Sequence, residues 1–151
     1  MTRDEALRAA RNDDWKKRKE AAAALAQLAS YEDYVAHTAL MRLLLDEYDT
    51  AITLEAAEEL LKRNDLYSAS TVFSGLALAT NSGGDWIVNA IHSAWKRGQF
   101  DAEYFSEQIM AGTDALPKFG ASDYLNWAHI SDTNTDADVK SQIEWYRANR
   151  N

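Results

Sequence analysis

The stretch Asp49–Leu66, DTAITLEAAEELLKRNDL, decides how the chain reads. Ile52, Ala56 and Leu60 recur every four residues, and Ala57 and Leu61 pair in the same way. Together they make one apolar stripe of a helix, with Glu55, Glu58, Glu59 and Lys62 beside it. Asp49 is placed to cap the N-terminus, and Asn64 or Asp65 to end this helix or cap the next.

The pattern extends in both directions. Asp65 caps a segment whose stripe is Leu66, Ala69, Val72, Phe73, Leu76 and Ala77. NSGGD, residues 81–85, reads as an inter-helix turn ending in an Asp cap, Asp85. A helix with Ile87, Ile91, Ala94 and Trp95 on one face follows, and Gly98 is placed to end it. Upstream, Asp14 precedes a helix whose Ala22, Leu25 and Ala29 continue a face begun by Trp15. Thr2 with Glu5, and Ser30 with Asp33, have capping-box spacing, the second pair before a helix over YEDYVAHTALMRLLL. Downstream, helices are expected near 101–111, 122–130 and 136–149, with Leu116-Pro117-Lys118 breaking the series. No polar–apolar alternation persists long enough for a strand.

Aligning Asp14 with Asp49 places Glu20 on Glu55, Ala21 and Ala22 on Ala56 and Ala57, and Leu25 on Leu60. A third copy starts at Asp85, with Val88 opposite Ile52. A helical hairpin recurring at this period denotes an α-solenoid, because one hairpin cannot bury its apolar face alone. The unit resembles a HEAT repeat (armadillo-type), and the chain is similar to small actinobacterial, hence bacterial, HEAT-repeat proteins. That family often opens its second helix with Asp-x-x-Val-Arg, followed by paired Ala and a Leu. Here Arg18 keeps the Arg but Lys17 replaces the apolar residue; Ile52 keeps the apolar residue but Thr53 replaces Arg; Val88 is followed by Asn89. The resemblance covers roughly residues 12–98. It implies an all-α, right-handed HEAT-like solenoid of about four hairpins, one domain over 1–151, with an atypical C-terminal cap over 99–151.

Composition narrows the function classes. The chain has 151 residues, 46% of them hydrophobic and 26% charged, as in a globular domain of ordinary size. No cysteine is present, which excludes disulfides and thiolate metal sites and suits a reducing, cytoplasmic setting. The N-terminus is charged where a secretory signal would be apolar, and no run has the length to cross a bilayer. Net charge is −8, unevenly spread. Residues 1–30 carry seven Lys/Arg against five Asp/Glu, residues 31–75 three against nine, and residues 76–151 six against ten. This balance argues against nucleic acid as partner and for a basic protein.

No catalytic constellation emerges. His37, His92 and His129 share no helical face at ligand spacing. Asp132-x-Asn134-x-Asp136-x-Asp138 matches the start of an EF-hand loop, but Ala137 stands where the turn glycine belongs and Ile143 where the bidentate Glu belongs. Thr135 and Asp138 read instead as a helix cap. NSGGD lacks the Lys-Ser/Thr of a phosphate loop. Some HEAT-like proteins are DNA glycosylases with basic, aromatic-lined clefts, whereas the largest basic cluster here, Lys16 to Lys19, lies on one helix. Aromatics concentrate in the second half, from Trp86 to Tyr146, and are expected mostly in core and cap packing. The expectation is a non-catalytic protein-binding module, an immunity-type inhibitor masking a basic toxin, with an adaptor or regulatory subunit as the alternative. It needs no cofactor, and Glu47, Glu55, Glu58 and Glu59 are its candidate binding residues.

Overall fold

A computed structural model describes residues 1–133; the side chains of 81, 82 and 129–133 lie outside that description. The expected helix over 136–149, with Trp145, Tyr146 and most of the EF-hand-like stretch, also lies outside it.

The described residues are all-helical, without a strand: α1 (Arg3–Ala9), α2 (Trp15–Leu28), α3 (Tyr34–Leu44), α4 (Thr50–Arg63), α5 (Leu66–Leu78), α6 (Asn81–Lys96), α7 (Ala102–Ala111) and α8 (Ala115–Thr133). Side-chain caps set most starts. Asp14, Asp49 and Asp65 accept from the backbone N–H groups of Lys16, Ala51 and Ser68. Thr2 and Glu5 form the reciprocal box. Asn64 ends α4 in the left-handed conformation, φ 50°. Gly98, φ 72°, follows α6; its N–H bonds to the Trp95 carbonyl and that of Gln99 to the Ala94 carbonyl, the double bond of a Schellman end.

The helices pack in two rows. α2 lies against α4 and α4 against α6; on the other side α3 contacts α5, and α5 lies along α8. The residues equated by the internal repeat are equally inaccessible: Ala21, Ala22 and Leu25, like Ala56, Ala57 and Leu60, are fully buried, and Ile52 and Val88 join the same core. Small side chains on the paired faces let α2 and α4 approach closely. At α5 and α8 the approach is backbone to backbone, since a Cβ built on Gly120 would overlap the Phe73 carbonyl.

Four local expectations change. NSGGD is the first turn and a half of α6, not a connecting turn, and Asp85 is an exposed residue inside that helix. The first turn's N–H groups need no intrahelical acceptor, so its glycines cost only propensity. α8 runs through Leu116-Pro117-Lys118, because Pro117 falls in the first turn, where its missing N–H is not needed. α3 begins at Tyr34 rather than Tyr31: Ser30 Oγ accepts from Asp33 N–H at 3.3 Å, and Asp33 itself caps Ala36 N–H. Trp15 and Leu66 are 44% and 51% exposed rather than part of the buried stripe, each being the first residue of its helix.

Candidate functional site

Glu55, Glu58 and Glu59 project from the flank of α4, each half-buried. Their charge is largely answered within the molecule. Glu59 pairs with Lys62 at 2.5 Å and sits 3.4 Å from Gln27 Nε2, which also donates to the Glu59 carbonyl. Glu55 lies 4.0 Å from Lys19 of α2. The bond to Glu59, with the fields of Glu55 and Glu58, holds the Lys62 ammonium above its ordinary pKa. Glu47 stands apart, on the α3–α4 turn.

A second polar cluster ties the hairpins together. Arg63, at the end of α4, donates to the carbonyls of Ala26 (3.0 Å) and Ala29 (2.7 Å), the last acceptors of α2. The same guanidinium reaches Asp65 and lies over the Tyr67 ring, 4.7 Å from its centroid. Tyr67 Oη is 2.8 Å from His37 Nδ1, and Tyr31 meets the Tyr67 ring edge-on. Burial lowers the His37 pKa and raises that of Tyr67, so both are neutral at pH 7. His92 stands elsewhere, with Tyr124, Trp95 and Trp127 around it. Among the described residues no group of His, Asp or Glu is placed to hold a metal ion. No described helix is long and apolar enough to cross a membrane.

The open surface is elsewhere, along the outer side of α3. One cavity, about 370 Å³, lies between α1 and α3 and includes Leu7, Arg8, Arg11, Tyr34, Val35 and Arg42 in its walls. A wider depression of about 650 Å³ shares Tyr34, Thr38 and Arg42 with it and continues past Met41 to Asp46, Glu47 and Tyr48. The two make one groove with opposite ends: arginines near α1, carboxylates at the α3–α4 turn. Leu78 and Leu116, from the end of α5 and the start of α8, line its far side. Tyr34 is 75% exposed and Tyr48 95%.

The two carboxylates at the acidic end differ. Asp46 is committed: it lies 3.5 Å from Arg18 and accepts from the N–H groups of Tyr48 and Asp49. Glu47 is exposed and has no hydrogen bond or ion pair among the described residues. Sequence reasoning selected Glu47 but passed over its neighbours Tyr34, Tyr48 and Arg42. The usable signal was in α3 itself. Ala36, Leu40, Leu43 and Leu44 are buried, and Tyr34, Val35, Met41 and Leu45 form a second apolar set that one core cannot cover.

The chain matches no family model, no curated protein and no solved structure.

Proposed function

We propose that this chain is a non-catalytic protein-binding module, built as a HEAT-like right-handed α-solenoid, whose partner is a basic protein. Successive packing of α2, α4 and α6, with α3 and α5 behind them, supports the stacked-hairpin reading. The observation that carries the function is Tyr48, 95% exposed beside the unpaired Glu47 at the mouth of an apolar groove. A tyrosine ring offers a large contact area at little entropic cost, and such residues anchor interfaces. The neighbouring carboxylate and the −8 net charge favour a cationic partner and speed its approach. Within this class, the reading is an immunity-type inhibitor that masks a basic toxin in the cytoplasm. An adaptor is the second reading, favoured by the opposite sign of the groove's other end.

Capture from source-cell extract on wild-type and Tyr48→Ala protein in parallel identifies a partner that depends on this surface. Rapid-mixing kinetics with the purified partner then test the charges. The on-rate should fall as the Debye length shortens from about 10 Å at 0.1 M salt to about 3 Å at 1 M. Glu47→Lys, and the triple reversal of Glu55, Glu58 and Glu59, should each slow association at low salt. Tyr48→Ala should speed dissociation by about thirtyfold, the usual loss at an aromatic anchor. Unchanged rates in all variants would refute the assignment.

A further inference from the structure

The arginines of the described residues divide into two groups. Arg3, Arg18 and Arg63 are tied to carboxylates or backbone carbonyls, and Arg97 to the Gln99 side chain, 3.4 Å from its Nη2. The side chains of Arg8, Arg11 and Arg42 form no hydrogen bond or ion pair among the described residues, yet all three line the cavity between α1 and α3. This is unexpected in a chain of net charge −8, with nine Asp/Glu between residues 31 and 75. Internal partners are abundant, and these three guanidinium groups have none. Their forks are free to take carboxylates in paired hydrogen bonds.

We propose that this cavity docks an acidic peptide segment, its carboxylates on Arg8, Arg11 and Arg42 and one apolar side chain against Leu7 and Val35. The apolar walls select against a bare inorganic anion, which gains nothing from them. The volume, about 370 Å³, suits one large side chain with its neighbours rather than a folded domain. A polynucleotide would have to continue past Arg42 towards Asp46 and Glu47, whose charges repel it. An acidic segment ends where the arginines end. This site is opposite in sign to the Tyr48–Glu47 surface and does not depend on it.

The probe is a fluorescein-labelled peptide of about a dozen residues alternating glutamate and leucine, followed by anisotropy at low salt. Controls are the same peptide with glutamine for glutamate and a single-stranded oligonucleotide of equal charge. Wild type should bind the glutamate peptide and neither control. Arg8→Gln, Arg11→Gln and Arg42→Gln should each weaken binding by about tenfold, the usual value of a bond to a charged group. The triple variant should lose it. Inorganic phosphate in excess of the peptide should not displace it at constant ionic strength. Glu47→Lys should bind the peptide at least as tightly as wild type, which separates this site from the basic-partner surface. No binding by wild type, equal binding by the arginine variants, or tighter binding of the oligonucleotide would each overturn the proposal. The three arginines are exposed, and a thermal melt of each single variant verifies that the fold is intact.

Discussion

The flank of α4 and the outer side of α3 both carry charge but treat it differently. On α4, Glu55 and Glu59 meet Lys19, Lys62 and Gln27, and Arg63 closes the end of α2. On α3, Arg42 meets no carboxylate and Tyr34 stands three-quarters exposed. One face has its electrostatic partners inside the chain. The other leaves both its charges and its apolar side chains open. Charge counted along the sequence does not distinguish these cases; pairing does. The distinction matters because exposed pairs contribute little, whereas an unpaired group keeps its full capacity for an outside partner.

The largest expected effect breaks the closed side. Leu60→Asp places a charge at a fully buried position in the α4 core. It should cost about 5 kcal/mol and leave the chain unfolded or nearly so, since whole domains have only about 5–15 kcal/mol of stability. A circular dichroism melt like that of wild type would show that α4 presents another face. Next, Arg63→Ala strips two α2 carbonyls of their donor and Tyr67 of its cation. A loss of about 2 kcal/mol is expected in urea titration. Arg42→Gln, removing an arginine with no internal partner, should shift the same curve by less than about 0.5 kcal/mol. Equal shifts for Arg63→Ala and Arg42→Gln would erase the contrast between the faces.

The smallest effect is one that disappears in acid. Arg3 grips Asp33 with two bonds, Nε to Oδ2 at 2.6 Å and Nη2 to Oδ1 at 2.8 Å. With the Ala36 N–H, they hold the Asp33 pKa at about 2, below its ordinary 3.8. A folded-state pKa below the unfolded one stabilises above the unfolded value and is lost as pH falls through the folded one. Wild type should therefore be more stable than Arg3→Gln above about pH 4, and the gap should close as pH falls to about 2. A gap of constant size across that range would mean that the pair contributes nothing through its charge.

Much of the helix order could be read from the sequence, because stripes and caps are local. Asp14, Asp49 and Asp65 each announce a helix that the structure contains. The starts of α6 and α8 are harder to read. Pro117 ends a helix or begins one according to how far away the cap lies, and glycines in a first turn look like a loop until packing shows otherwise. The candidate site was less legible. Glu55, Glu58 and Glu59 stood out as an acidic run, but the cations that answer two of them include Lys19, more than thirty residues earlier in the chain. Tyr34 belongs to a second apolar set on α3, but Tyr48, between α3 and α4, carries no periodic signal. α3 is apolar on two sides, and only the positions of α1, α5 and α8 decide which side stays open.

The contact at Gly120 acts as a keyway. With Gly120 seated on the Phe73 carbonyl, α8 has one angular setting about its own axis, because turning it by a residue would drive Phe119 or Ala121 into the α5 backbone. That setting also turns Tyr124 and Ala121 inward, leaves Phe119 half in solvent and delivers Leu116 to the rim of the α3 groove. A missing side chain deep in the α5–α8 seam therefore sets the shape of a surface several turns away on α3.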